Sequence, residues 1–429
     1  MATISKMQVR KWPIIFILWA LIVFGTTIPI VSYIAVGITA IVILRCDNRY
    51  TIPILFAIEP FANVFKASAN SQSFFTMLVF LYVGWNIIRK RNICRTELLT
   101  AMYGMYLVVI QLVCNTLGIE RTLKFVANLF FLQYALVNGQ QIEYKDIFFS
   151  YIGGIIVSSF VKLSGVFTNI NSYVDTVVVG QNSFDDIIRF AGLYNDPNYY
   201  AINVIIAMCL VVIMFHCKKM KTLYATVTLG ILVLFVGLTS SKSALFMLAL
   251  PMILLLYSNS KNRRHFIQLV FIATVIIGAI LIIAGRITVF DTVFERLSQA
   301  DDIESLTTGR SRIWKEYLSY FAEHEELLIF GRGLGAGLIN QSASHNTYID
   351  ILYYLGIVGG ALMLGMLGLI AKQRESNNEK CFLNSSVALC ITTMYVFLGQ
   401  LFYFDLIYQL YLAIVVWKMP LKRTGGVYE

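Results

Sequence analysis

The sequence predicts an all-α polytopic membrane protein. It reads as a single integral membrane domain over residues 1–429, with about fourteen transmembrane helices and two long extracytoplasmic loops. Three observations predict this. Hydrophobic residues make up 58% of the chain and charged residues only 14%, against roughly 25% charged in a typical soluble domain. Apolar runs recur at the length a bilayer needs, roughly 20 residues or somewhat fewer per helix. Basic residues gather in every second connection, as the positive-inside rule requires. The same runs exclude a disordered chain, a disulfide-framed secreted domain and a fibrous repeat.

The predicted segments are 12–27, 28–44, 51–65, 74–88, 98–117, 123–139, 147–164, 199–215, 222–239, 243–257, 266–285, 348–370, 382–402 and 404–418. Lys6, Arg10 and Lys11 before the first run resemble the start of a signal peptide. The run continues past Gly25–Pro29 into a second segment without a small-x-small cleavage site, so it is predicted to be retained. Segment 51–65 contains Pro53 and Glu59-Pro60. It reads either as a full span or as a broken or re-entrant helix, because an interior proline removes a helix hydrogen bond.

With the N-terminus inside, 22 of the 34 lysines and arginines fall on cytoplasmic segments, with 7 of the 24 acidic residues. The other side and the span ends hold 12 basic and 17 acidic residues. A missed or invented span would swap the sides from that point on, so an even number near fourteen, with both termini inside, fits best. The net charge of +10 is then a topological signal directed at the lipid bilayer, and no nucleic-acid partner is expected. The seven cysteines form no C-x-x-C pair and lie in spans or on the cytoplasmic side. They read as small apolar fillers, neither a zinc nor a disulfide framework.

The long loops, 165–198 and 286–347, both face outward in this layout. Long loops in compact proteins usually carry function. Residues 310–328, RSRIWKEYLSYFAEHEELL, place Ile313, Trp314, Tyr317, Leu318 and Phe321 at helical spacing. This predicts an amphipathic helix lying on the membrane or capping the bundle.

Five polar motifs cluster on the predicted outer side. RFAGLYNDPNYY, 189–200, is turn chemistry before a span, with Arg189 at the membrane face. LTSSKSALFM, 238–247, is a tight hairpin whose Lys242 reads as a headgroup anchor or an anion contact. TTGRSRIW, 307–314, puts Arg310 and Arg312 at a helix start, where guanidinium groups and free N–H groups can hold an anion. GRGLGAG, 331–337, matches a dinucleotide fingerprint, with Leu327–Phe330 preceding it like a strand. It lacks a βαβ unit and faces away from any nucleotide pool, so flexible backbone before a membrane entry is the better expectation. SASHNTYIDILYYLGIVGG, 342–360, sets His345 and Asn346 immediately before a span, where the histidine is either a capping polar group or a reactive one. No D-x-D, P-loop, H-E-x-x-H or G-x-S-x-G motif occurs.

Taken together, RFAGLYNDPNYY, LTSSKSALFM, TTGRSRIW and SASHNTYIDILYYLGIVGG resemble, in order and spacing, the O-antigen polymerase and ligase family (Wzy/WaaL type) over about 185–370. The resemblance implies a GT-C-like membrane glycosyltransferase acting on oligosaccharides carried by undecaprenyl pyrophosphate at the outer face of the bacterial inner membrane. It also implies metal-independent, inverting chemistry with no cofactor, since the leaving group is already a pyrophosphate. Carried over residue by residue, the essential positions fall on His345, Arg189 and Arg310. Substrate contacts are then expected from Lys242, Arg312, Asn195, Asp196, Asn198, Asn346 and Trp314. Many relatives have S-R where this chain has Ser241-Lys242, and lysine lacks the bidentate fork. A repeat-unit polymerase is the preferred reading. A ligase of the same family and a lipid-linked oligosaccharide flippase are the alternatives, and a flippase and a chain-length regulator are candidate partners.

Overall fold

A computed structural model describes residues 11–66, 72–90, 93–138, 142–164, 190–194, 196–239, 241–260, 264, 268, 309–372, 382–397 and 404–419. Among these, every extended element is helical, apart from one isolated bridge between Ile339 and Ser342. The helices are α1 (Lys11–Gly25), α2 (Pro29–Arg45), α3 (Asn48–Ile58), α4 (Phe74–Arg89), α5 (Arg95–Val113), α6 (Ile119–Asn138), α7 (Tyr144–Leu163), α8 (Pro197–His216), α9 (Thr222–Leu238), α10 (Lys242–Asn259), α11 (Arg310–Glu323), α12 (Glu325–Phe330), α13 (Thr347–Lys372), α14 (Phe382–Thr393) and α15 (Phe404–Trp417). A helix stands at each predicted segment except 266–285, of which residue 268 alone is described.

Among the described residues four helices, α5, α7, α8 and α13, are long and apolar enough to cross a membrane, and seven shorter helical stretches are apolar. Large side chains such as Phe16, Ile30, Ile41, Leu112, Val113 and Leu223 stay exposed along them. Such continuous apolar surface suits hydrocarbon, not water. The chain is a multi-pass membrane protein.

The third predicted segment is a broken helix. The α3 helix contains Pro53 and passes into a 3-10 turn, Glu59–Phe65, at Glu59-Pro60. Residues Thr51–Phe61 are buried by their neighbours, which is the condition under which interrupted helices survive at membrane depth. The Trp19 indole N–H donates to Ala57 O at 2.9 Å where the helix changes pitch. At the far end Asn63 Nδ2 donates to Leu193 O at 2.8 Å.

Helix α8 is the central strut, buried from Tyr200 to Met214 and packed by α7, α9 and α10. Segments predicted to share a side do meet at one end. Lys11, at the start of α1, pairs with Asp146 in the first turn of α7. At the other end Gln72 meets Glu120, Phe190 N–H meets Leu238 O, and the α5–α6 turn meets residues 331–336.

Two expectations change. The amphipathic stretch is not one helix over 310–328. It breaks at His324 (φ −135°, ψ 66°) into α11 and the short α12, and residues 327–330 are therefore helical rather than strand-like. The GRGLGAG run is not loose backbone. Gly331 N–H bonds Leu327 O, Arg332 N–H bonds Tyr353 O and Gly333 N–H bonds Tyr354 O, at 2.7–2.9 Å. The Tyr353 and Tyr354 carbonyls accept their bonds just before the interruption of α13 at Gly356 (φ 66°). On its other side the run is gripped by the α5–α6 turn. Thr116 Oγ1 donates to Arg332 O at 2.6 Å, and Arg121 donates to Leu334 O at 3.2 Å.

The backbones touch at this junction. A Cβ on Gly335 would sit 1.9 Å from Thr116 O, whereas one on Gly337 would meet nothing within 4 Å. Gly335→Ala is expected to cost about 1–3 kcal/mol through overpacking, and Gly337→Ala close to nothing. Thermal melts of the two detergent-purified variants check this, and equal melting points would remove the case for a close-packed junction.

Candidate active site

Local sequence builds three converging chain ends. Asp196 caps α8. Its Oδ1 accepts from Asn198 N–H at 2.6 Å and Tyr199 N–H at 3.4 Å, and Pro197 supplies the first helical residue. Ser241 caps α10 through Ala244 N–H, and its hydroxyl donates to Asn198 Oδ1 at 2.6 Å. Asn346 caps α13, with Oδ1 accepting from Tyr348 N–H at 2.9 Å and Ile349 N–H at 3.2 Å. The starts of α8 and α10 are thereby tied side by side, and Arg310 at the start of α11 and His345 just before α13 both lie within electrostatic reach of Asp196.

Arg310 opens α11 after the left-handed Gly309 (φ 76°). Its half-buried guanidinium lies within electrostatic reach of Asp196, Tyr199 and His345. Burial pulls its pKa down while Asp196 and Tyr199 push it up. It stays cationic, because an unperturbed guanidinium titrates far above neutrality. His345 lies below the ordinary histidine range. Burial is the larger cause, the Arg310 charge adds to it, and Asp196 opposes both. The imidazole is thereby shifted toward its neutral form, within electrostatic reach of a positive charge and a helix-capping carboxylate.

His345 has a left-handed backbone (φ 49°), unusual for a residue with a side chain. The turn is held from α11, where Trp314 Nε1 donates to Ser344 O at 2.9 Å and Tyr317 OH donates to Ser342 O at 3.0 Å. Trp314 lies one helical turn beyond Arg310, so the same face of α11 presents the arginine and anchors the histidine loop. The Tyr317 hydroxyl is pushed up to about 12, chiefly by burial and next by Asp350.

The other predicted site residues are placed as follows. Arg312 lies on the exposed side of α11, 3.9 Å from Glu316. Two positions along a helix turn a side chain roughly 200°, so Arg310 and Arg312 cannot share a face. Lys242 opens α10, and its side chain lies outside the described residues, as do Arg189 and Asn195. Asn198, Asn346 and Trp314 commit the polar atoms above to the protein's own framework. Among the described residues, no group of three His, Cys, Asp or Glu forms a metal-binding cluster.

The supports that sequence reasoning missed come from elsewhere in the chain. Gln111 binds Gly118 N–H and Thr122 Oγ1, which shapes the turn that receives the 331–337 run. Ser344 and Asp350 lie beneath His345. Only the glycine-rich run carried a sequence signal for any of this.

Residues 227–364 match a family model described as O-antigen ligase. No curated protein and no solved structure matches the chain. The matched stretch contains Ser241, Arg310, Trp314, His345 and the break in α13. This match supports a place for the chain in the O-antigen polymerase and ligase family, among membrane enzymes of polysaccharide assembly.

Proposed function

We propose that the protein is an inverting glycosyltransferase with a GT-C-like bundle of fourteen spans. In this reading it polymerises undecaprenyl-pyrophosphate-linked oligosaccharide repeat units on the outer face of the bacterial inner membrane. The observation that carries the proposal is that His345 and Arg310 lie within electrostatic reach of each other and of Asp196, with the histidine turn tied to the Arg310 helix through Trp314.

The chemistry asks for two things at one place. A hydroxyl of the acceptor glycan must lose its proton as its oxygen attacks the anomeric carbon of the donor. The bond from that carbon to the pyrophosphate oxygen must break, and its electron pair leaves with the pyrophosphate. His345, held neutral, is suited to accept the proton. Arg310 is suited to meet the charge growing on the leaving group, in a partly buried setting that strengthens the attraction. Arg189 and Lys242 would add to that positive field. Single displacement inverts the anomeric centre. Asp196, within electrostatic reach of Arg310, offsets part of its charge.

A ligase would use the same catalytic pair, and the description of the matched family favours it as the second reading. The two differ in acceptor. Loss of a polymerase leaves single repeat units on the carrier lipid, and loss of a ligase leaves finished polymer there. The lipid-linked glycan profile of cells lacking the protein is expected to show single units. Accumulated long polymer on the carrier would move the assignment to the ligase. Accumulation on the cytoplasmic face alone would indicate a flippase.

A further inference from the structure

Asp350 is a buried carboxylate that the reaction above does not use. It lies in the first turn of α13, 8% exposed. An isolated charge this deep is expensive unless hydrogen bonds compensate it. Its Oδ1 accepts from Ser344 Oγ at 2.6 Å, a short contact of the charge-assisted kind. Ser344 is 1% exposed and immediately precedes His345. Its single hydroxyl proton has a second acceptor in Asn346 O, longer at 2.9 Å, and its oxygen accepts from Asn346 N–H at 3.0 Å, so one serine side chain bridges the two residues that flank the histidine.

The bridge matters because of the backbone between its ends. A left-handed residue that is not glycine costs on the order of 1–3 kcal/mol, and it persists only where the surroundings over-determine it. Here they do. Ser344 is fixed by Asp350 through its side chain and by Trp314 through its carbonyl, and Asn346 is fixed by its cap on α13. If the Ser344 anchor is released, His345 can relax to an ordinary backbone conformation. That relaxation swings the imidazole away from Arg310.

We propose that Asp350 is a positioning residue for His345. Its carboxylate, acting through the Ser344 hydroxyl, holds the left-handed turn that keeps the imidazole beside Arg310. The inference rests on the reading of His345 as the proton acceptor. Helix-start electrostatics offers a different role for Asp350, since any carboxylate in a first turn is mildly stabilising there. Asparagine separates the two, because its carbonyl can still accept from Ser344 while it carries no charge.

The test uses the full-length protein in detergent or nanodiscs, with lipid-linked glycan extracted from cells lacking the protein as substrate. Asp350→Ala is expected to lower kcat about tenfold or more, with KM little changed, as expected when an anchored hydrogen bond to a charge is lost. Asp350→Asn is expected to restore most of that loss. Ser344→Ala, which removes a single oxygen, is expected to reproduce the Asp350→Ala loss and to add nothing to it in the double variant. In a His345→Ala background, Asp350→Ala is expected to have no further effect on the residual rate.

Wild-type kcat in Asp350→Ala alongside an inactive His345→Ala would overturn the positioning role and leave the proposed function standing. Full activity of His345→Ala would instead remove the proposed function itself. An Asp350→Asn variant as impaired as the alanine variant, or additive losses in the double variants, would overturn the hydrogen-bond route. Should Asp350→Ala fail to fold, as judged by its melting temperature, Ser344→Ala alone decides between these outcomes.

Discussion

His345→Ala is expected to abolish polymer formation in cells at normal protein levels, and to lower kcat by about 10²–10⁴-fold in vitro, the range for loss of a general base. The pH profile carries the more specific expectation. His345 must be neutral to accept a proton, and burial together with the Arg310 charge holds its pKa below the ordinary histidine value. Activity should therefore persist through about pH 6.5, where a free histidine is half protonated, and should fall only on the more acidic side. Removing the neighbouring positive charge in Arg310→Gln should raise the His345 pKa and move the acid limb to higher pH. An acid limb that stays put in Arg310→Gln would break the link between the two residues. Normal polymer length in His345→Ala would end its role as the base.

Arg310→Ala is the second large effect. Loss of one preorganised group that stabilises developing charge costs on the order of 10²–10³ in kcat, and the expected change lies in kcat rather than KM. Arg310→Lys should recover only part of it, because the ammonium keeps the charge but loses the planar fork that matches a phosphate. Single-turnover rates on extracted lipid-linked glycan, with protein amount controlled, check both variants. An Arg310→Ala enzyme at wild-type rate would leave the pyrophosphate without its proposed partner. Binding is also expected to depend on salt, though less than for exposed arginines, because the guanidinium is partly buried.

Much of the architecture was legible in the sequence. Apolar runs mark helices because a bilayer leaves the backbone no other partner for its hydrogen bonds, and each run within the described residues became one. The start of α8 was legible too, because Asp196-Pro197 is turn chemistry whose carboxylate can reach the N–H groups of the first turn. At α13 the sequence offered His345 as the capping group, and the shorter Asn346 side chain takes that place. What misled was reading one period through a break. Residues 310–328 keep helical spacing past His324, yet the backbone turns there, and no local residue type announced it. The glycine-rich 331–337 run also suggested freedom. In the fold those glycines permit contact instead, because only residues without a Cβ let three backbones meet.

The sequence by itself determined that this chain is a multi-pass membrane protein, and it marked out the few polar residues that stand out on the predicted outer side. Those properties depend on composition and on spacing along the chain. Only the tertiary structure decided that Arg310 and His345, 35 positions apart, are neighbours, that Arg312 faces away from them, and that Asp350 underlies the histidine turn. The physical reason is that a site is built from distances across the fold. These were set by α8 packing in the centre, by the break at Gly356, and by a turn from the N-terminal half that grips residues 331–336.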